Sequence, residues 1–202
     1  MPRDNYGSRD LPMPNDKGFS LVEMAVVMVV FSLLLGGMMM PLAKQTQFRR
    51  EREARKQINA IVEALYGYAL IHQSLPPPVD SDADGAADDL PWTELGAPET
   101  DPWGRPWGYR AVASLNVCNP DADATIQVQD SGGGNTVNAL AVVVSGGRRN
   151  HGSAAEQENR DGDDVFVRDD PVKDQFDDVA AWIHPTVLAN RAVLAGMCNA
   201  GK

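Results

Sequence analysis

The hydrophobic and polar positions divide the chain into an apolar stretch near its N terminus and a longer polar remainder. Residues 19–43 read FSLVEMAVVMVVFSLLLGGMMMPLA and contain a single charged side chain, Glu23. As an α-helix this stretch extends about 37 Å, which exceeds the roughly 30 Å hydrocarbon core of a bilayer. Because its apolar residues surround the helix and do not form a stripe, the pattern predicts a transmembrane helix and not a buried core helix.

A second periodic segment occupies residues 44–75. Its apolar side chains recur at the spacing of one helical face, which predicts an amphipathic helix continuing from the apolar stretch. The residues on this face are Ile58, Ile61, Val62, Leu65, Tyr68, Ala69 and His72. The helix is expected to end at the Leu75-Pro76-Pro77-Pro78 sequence, because proline cannot continue it.

Residues 76–202 are predicted to form a β-rich head domain on which this helical face packs. The β-rich segments, separated by Gly and Asp turns, are residues 109–113, 126–129 and 137–145, with edge strands at 164–167 and 179–183. Residues 185–197 are expected to form a short helix. The predicted fold class is therefore α+β, with a long N-terminal helix packed on a small antiparallel β-sheet.

Charge adds two constraints to this picture. The formal net charge of -10 argues against nucleic acid as a partner. Cations nevertheless cluster after the apolar stretch, interrupted by Glu51 and Glu53; they are Lys44, Arg49, Arg50, Arg52, Arg55 and Lys56. This basic run fits either anionic lipid head groups or a solvated helix face.

The cysteines Cys118 and Cys198 both lie in the head. In an exported domain they are expected to form a disulfide, with two buried free thiols as the alternative. The closed loop of roughly 80 residues would stabilise the fold by about 4–5 kcal/mol in the chain-entropy model.

Glu23 is the exception within the apolar stretch. A carboxylate costs about 2.5–3.5 kcal/mol at the centre of a membrane helix and less near its end, so a cationic partner is expected. Cleavage between Gly18 and Phe19 would create an α-amino group four residues before Glu23. Between axially staggered subunits, the carboxylate of one would meet the amine of the next and set the register of assembly.

Residues 17–23 (KGFSLVE) resemble the type IV prepilin cleavage and methylation motif, in which a polar, basic leader ends in Gly and is followed by Phe and an apolar run with Glu at the fifth mature position. The resemblance implies a leader at residues 1–18, cleavage after Gly18 by a membrane-embedded prepilin peptidase and N-methylation of Phe19. It also implies assembly through Phe19 and Glu23.

The same resemblance implies a subunit of a type IV pilus or of a type II secretion pseudopilus. Its expected partners are the prepilin peptidase, other pilin or pseudopilin subunits, the inner-membrane assembly platform and the lipid bilayer. The chain would cross the inner membrane once with its head in the periplasm, and reach a filament or the cell surface after assembly. The alternative is a membrane-anchored binding module for adhesion or uptake that does not polymerise.

Residues 101–109 (DPWGRPWGY) predict a type I turn, because Asp, Pro and Gly occupy its first, second and fourth positions. The segment is similar to a turn in the head domain of the major pseudopilin, and this likeness implies a structural role. A ligand platform formed by Trp103 and Trp107 is the alternative.

Residues 80–89 (DSDADGAADD) form an acidic loop. Asp80, Asp82 and Asp84 alternate before Gly85, as at the start of a Ca²⁺-binding loop, but Pro91 stands where the bidentate Glu is expected. The loop is therefore either a Ca²⁺ site or a solvated turn, and residues 159–164 allow the same two interpretations.

Nothing in the sequence predicts catalysis. His72, His151 and His184 are scattered, and the Ser and Asp residues show neither nucleophile-elbow nor triad spacing. We therefore expect no enzymatic activity and no cofactor other than the Ca²⁺ considered above.

Overall fold

The computed structural model describes residue 18 and residues 20–132, 134–149, 152–169 and 176–198, apart from the side chains of residues 35–44. Contacts divide the chain into two compact units, residues 1–45 and residues 46–202. The helix α1 (Leu21–His72) begins in the first unit and ends in the second.

The second unit contains the remaining described elements. In chain order these are α2 (Trp92–Leu95), β1 (Gly108–Ala111), a 3₁₀ turn (Pro120–Ala122), β2 (Ile126–Asp130), β3 (Thr136–Ala139), β4 (Ala141–Ser145), α3 (Ala154–Glu158), β5 (Val165–Arg168), β6 (Val179–Ile183) and α4 (Pro185–Leu194).

The described strands form two three-stranded sheets. In the first, with strand order β1-β4-β6, both pairings are antiparallel, as the sequence predicted. The second, with order β3-β2-β5, is mixed, because β5 pairs parallel to β2. Parallel pairing needs a long crossover between the two strands, and β3, β4 and α3 supply it.

The segment 137–145, predicted as one strand, forms the two strands β3 and β4. Ala139 pairs with β2, whereas Ala141 pairs with β1 and β6. Between them, the Leu140 N–H donates to the Ile183 carbonyl at 3.1 Å and the Leu140 carbonyl accepts from the Val112 N–H at 2.9 Å. The chain therefore changes sheets at Leu140 without a turn residue.

One stripe of α1 packs on the first sheet. Its buried members are Ala54, Ile58, Ile61, Leu65 and Ala69. They form a core with Tyr109 of β1, Ala141 and Val143 of β4, and Ile183 of β6. The predicted amphipathic face is confirmed at Ile58, Ile61, Leu65 and Ala69.

The predicted face is wrong at the C-terminal end of the helix. His72 is exposed and stacks on the half-buried Tyr68 ring at 4.2 Å, and α1 ends at His72 because Gln73 adopts a φ of 54°. Tyr66 is buried instead, and its hydroxyl accepts the His184 N–H at 2.9 Å. This hydrogen bond connects α1 to the start of α4.

The second sheet packs on the opposite side of β4. Val142 and Val144 contact Ile126 and Val128 of β2 and Phe166 of β5. Every residue of β4 is buried, so this strand lies between α1 on one side and the second sheet on the other. The head thus has three layers: helix, sheet and sheet.

The predicted turn at residues 101–109 is anchored by the buried carboxylate of Asp101. Its Oδ1 accepts the N–H groups of Trp103 and Arg105 at 2.9 and 3.0 Å, and its Oδ2 accepts the Ser145 hydroxyl at 2.6 Å. Trp107 is 1% exposed, so its ring is not available as a ligand platform. The turn is therefore fixed to the end of β4.

Replacing Asp101 with Ala is expected to lower the free energy of unfolding by about 2–4 kcal/mol, because it leaves buried donors without acceptors. Glu99→Ala is the matched control, since Glu99 is exposed, and it should change stability by less than about 0.5 kcal/mol. Urea unfolding followed by tryptophan fluorescence measures both, and equal stability of the two variants would contradict the anchoring role.

Candidate functional site

The described part of the N-terminal segment begins at the predicted cleavage position. Gly18 is exposed, whereas Phe19, the predicted cleavage and methylation residue, lies outside the described residues, as do residues 1–17 of the predicted leader. The Glu23 carboxylate accepts the Ser20 N–H at 2.9 Å, and the Ser20 hydroxyl oxygen accepts the Val22 N–H at 3.3 Å. Ser20 and Glu23 thus cap the start of α1, with the carboxylate held at the residue after Phe19.

The first turns of α1 present apolar side chains to their surroundings. Those exposed over residues 21–34 are Leu21, Val22, Met24, Val26, Val27, Met28, Val29, Val30, Phe31, Leu33 and Leu34. A continuous apolar surface of this size is typical of a segment that is covered by a partner or by lipid.

The predicted membrane span covers residues 19–43. No helix among the described residues is long and apolar enough to cross a membrane. Phe19 and the side chains of residues 35–43, which complete the predicted span, lie outside the description.

The first acidic loop arranges its carboxylates differently from the predicted Ca²⁺ loop. Oxygens of Asp80, Asp82 and Asp89 lie within 4.8 Å of one another, and Asp84 is not part of this group. Asp89 is buried and accepts both the N–H and the hydroxyl of Ser81, at 2.9 and 2.7 Å. Two of the three predicted ligands are thus brought together, and Ca²⁺ binding stays a prediction.

The second acidic stretch lies beside the first. Asp82 and Asp84 of the first loop and Asp163 of the second line one cleft of about 440 Å³, together with Glu158 at the end of α3. Burial, together with the carboxylates of Asp89, Asp84 and Asp82, raises the pKa of Asp88 at this cleft. The sequence indicated each loop separately but not that they meet.

A buried carboxylate, which the sequence analysis missed, organises the loop before α3. Glu156 is 0% exposed. Its Oε2 accepts the N–H groups of Gly152 and Ser153 at 2.6 and 2.7 Å, and its Oε1 accepts the Asp177 N–H at 2.7 Å. The Ser153 hydroxyl oxygen accepts the Glu156 N–H in return, so the pair forms a capping box.

Glu156 faces a second acid, Asp177. The Asp177 Oδ2 accepts the N–H groups of Arg148 and Arg149, both at 3.2 Å, whereas its Oδ1 is buried and has no hydrogen-bond partner among the described residues. Burial and the neighbouring Glu156 raise the pKa of Asp177. Burial opposes ionisation of Glu156 as well, but the N–H groups of Asp177, Ser153 and Gly152 outweigh it and lower the pKa of Glu156.

The predicted disulfide is present. Cys118 and Cys198 are joined across a sequence separation of 80, with their Cα atoms 5.5 Å apart. The bond fastens the segment after α4 to the segment that follows β1. Neither cysteine is a free thiol.

A recognisable pattern marks two of the structural residues that the sequence analysis missed. Residues 20–23 and 153–156 both read Ser-x-x-Glu, which is the signature of a helix N-terminal capping box. Ser20 and Glu156 were identifiable from it. The burial of Asp89 has no such local signal, because it depends on the pairing of the loop with Val79 and Gly108.

The N-terminal segment matches a known family, described as "Prokaryotic N-terminal methylation motif", over residues 13–39. The match includes Gly18, Phe19 and Glu23, and it confirms the type IV prepilin-like signal predicted from residues 17–23. No curated protein and no solved structure matches the chain.

Glu156→Gln is expected to lower the free energy of unfolding by about 2–4 kcal/mol near neutral pH, because a neutral amide accepts buried N–H groups less strongly than a carboxylate. A group whose pKa is lowered by folding stabilises the fold above its ordinary pKa and loses this contribution as the pH falls. The difference between wild type and variant should therefore shrink below about pH 4.3. Denaturant unfolding between about pH 3 and pH 7 measures it.

Glu158→Gln is the control for this experiment, because Glu158 is only half-buried. It should leave stability within about 0.5 kcal/mol of wild type at every pH. A wild-type advantage over Glu156→Gln that stays constant as the pH falls would show that the Glu156 charge does not stabilise the fold.

Proposed function

We propose that this chain, which carries the type IV prepilin-like signal, is a structural subunit of a type IV pilus-like or type II secretion pseudopilus filament. It is matured by cleavage after Gly18 and assembled through its N-terminal helix. The observation that carries the proposal is the methylation motif over residues 13–39. The exposed apolar surface of residues 21–34 supports it, because such a surface requires a bilayer before assembly and neighbouring helices after it.

Glu23 is proposed to set the register between subunits. Its carboxylate is held at Ser20, next to the residue that would carry the new α-amino group. To pair with the amine of a neighbour, Glu23 exchanges a single N–H contact for a charged partner. That exchange is favourable in an apolar environment, where an unpaired carboxylate is costly.

The proposed location is the inner membrane, with a single pass and the head in the periplasm before assembly. The Cys118–Cys198 disulfide supports this orientation, because disulfides persist in oxidising compartments such as the bacterial periplasm. The partners are the prepilin peptidase, the assembly platform and other subunits. No catalytic step is assigned to the head.

The second candidate function is a membrane-anchored binding module that does not polymerise. The cleft of about 440 Å³ between the two acidic loops is the observation in its favour, because a cavity of this volume lies within the range of ligand pockets. The two functions differ in what they require of Glu23, since only assembly needs a charge at that position.

Glu23→Ala separates the two functions in cells that assemble the filament. We expect the variant to be cleaved after Gly18 and to form the head disulfide, yet to be depleted from sheared filaments at least about tenfold, because each tenfold change needs only about 1.4 kcal/mol. Glu51→Ala is the control, because Glu51 lies on the same helix and, within the described residues, its carboxylate bonds to Gln47 alone. Normal incorporation of Glu23→Ala would refute the assembly mechanism.

A further inference from the structure

α1 carries a group of exposed cations, called the basic face below. The five exposed cations that follow Phe48 are Arg49, Arg50, Arg52, Arg55 and Lys56. None of them makes a hydrogen bond or an ion pair with the part of the chain that the structure describes. A groove of about 530 Å³ runs between this face and Pro102.

The two glutamates within the basic run offset only part of its charge. The Glu51 carboxylate accepts the Gln47 side-chain N–H at 3.2 Å, and the Glu53 carboxylate accepts that of Gln57 at 3.1 Å. Both acids bond to neutral amides and keep their charge. Five cations against two carboxylates leave the basic face positive, and none of the five cations pairs with the described part of the head.

The cleft of about 440 Å³ between the two acidic loops, called the acidic cleft below, is negatively charged. Its carboxylates Asp82, Asp84 and Asp163 each accept one backbone N–H of their own loop, and no cation pairs with them among the described residues. Six carboxylates line the cleft in all: Asp82, Asp84, Asp88, Asp89, Glu158 and Asp163.

The three arginines that line the same cleft are already occupied. Arg105 donates to the carbonyls of residues 146–148. Arg110 pairs with Asp164 at 2.8 Å, and Arg160 pairs with the buried Asp178 at 2.8 Å. The cleft carboxylates that have no cation partner among the described residues therefore give the acidic cleft its negative charge.

The two surfaces share no residue. The groove beside the basic face is lined by residues of α1 and by Pro102. The cleft is lined by residues of the two acidic loops and by Tyr109, Val144 and Phe166.

We propose that the basic face of α1 in one copy of this chain docks against the acidic cleft of a neighbouring copy. This inference rests on the proposed function and names the contact between heads in the filament. Two different, complementary surfaces of one subunit form a heterologous contact, which extends into an open helical array when the rotation does not close. The occupant of the basic face is a second copy, because the same chain supplies a surface of complementary charge.

Reciprocal charge reversal in the full-length chain tests the contact. The basic variant carries Arg49→Glu, Arg52→Glu and Lys56→Glu, and the acidic variant carries Asp82→Lys, Asp84→Lys and Asp163→Lys. The amount of each variant in sheared filaments should be at least about tenfold below that of the wild type, because like charges then face each other across the contact. Combining all six changes in one chain restores opposite charges and should return incorporation to within about threefold of wild type.

The control reversal is Asp121→Lys, at an exposed position of the 3₁₀ turn outside both surfaces, and it should assemble as wild type. The proposal is overturned if both triple variants assemble normally, or if the six-fold variant is folded and oxidised but does not assemble. It is also overturned if only the basic variant fails to assemble and the wild-type chain binds anionic vesicles in preference to neutral ones. The basic face would then bind lipid head groups and not a second copy. Absence of the wild-type chain from filaments would instead refute the proposed function.

Chemical crosslinking gives a readout that does not depend on restoring assembly. Arg52→Cys and Asp163→Cys together should yield dimers and longer ladders with a short bis-maleimide in sheared filaments, since the native cysteines are already paired. Arg52→Cys with Asp121→Cys should yield none. Equal crosslinking of the two pairs would contradict the proposed contact.

Discussion

The packing of one stripe of α1 on the first sheet is the contact on which the rest of the head depends. Ala54, Ile58, Ile61 and Leu65 are each at most 2% exposed and form the central wall of the main core. Their spacing of three and four residues places them on one side of the helix. Arg55 and Lys56 lie between Ala54 and Ile58 and are exposed, so the burial of this stripe also places part of the basic face at the surface.

The two parts of α1 are under different physical demands. Residues 21–34 are exposed and apolar, whereas from Ala54 onward the helix buries only one stripe and presents charge on the other side. The first pattern suits an environment without water, and the second suits a domain surface. In the proposed filament, the apolar part of α1 contacts neighbouring subunits, and the part from Ala54 onward packs on the head.

Local periodicity was sufficient to predict α1 and most strand positions, and two cysteines in a domain expected to be exported predicted the disulfide. It failed at Leu140, because every residue of β4 is buried and no alternation marks the change of sheet. It also gave no sign that β5 would pair parallel to β2, since the partner of a strand is set by contacts between segments that are distant in sequence. The cleft between the acidic loops was missed for the same reason.

The N-terminal site was more predictable than the head. A cleavage motif is a short local run of residues, so Gly18 and Phe19 are recognisable from the sequence alone, and residues 13–39 match the methylation family. The capping contact between Ser20 and Glu23 could be foreseen from four residues. The buried Glu156 needed its Ser-x-x-Glu pattern to be noticed, and its contact with Asp177 required the fold.

The measurement that tests the central claim most directly is the intact mass of the chain purified from native membranes, with and without active prepilin peptidase. The account predicts a species from Phe19 to Lys202 that carries one added methyl group and one disulfide, and that is present only with the peptidase. A chain of unchanged mass in both strains, with residues 1–18 still attached, would contradict it.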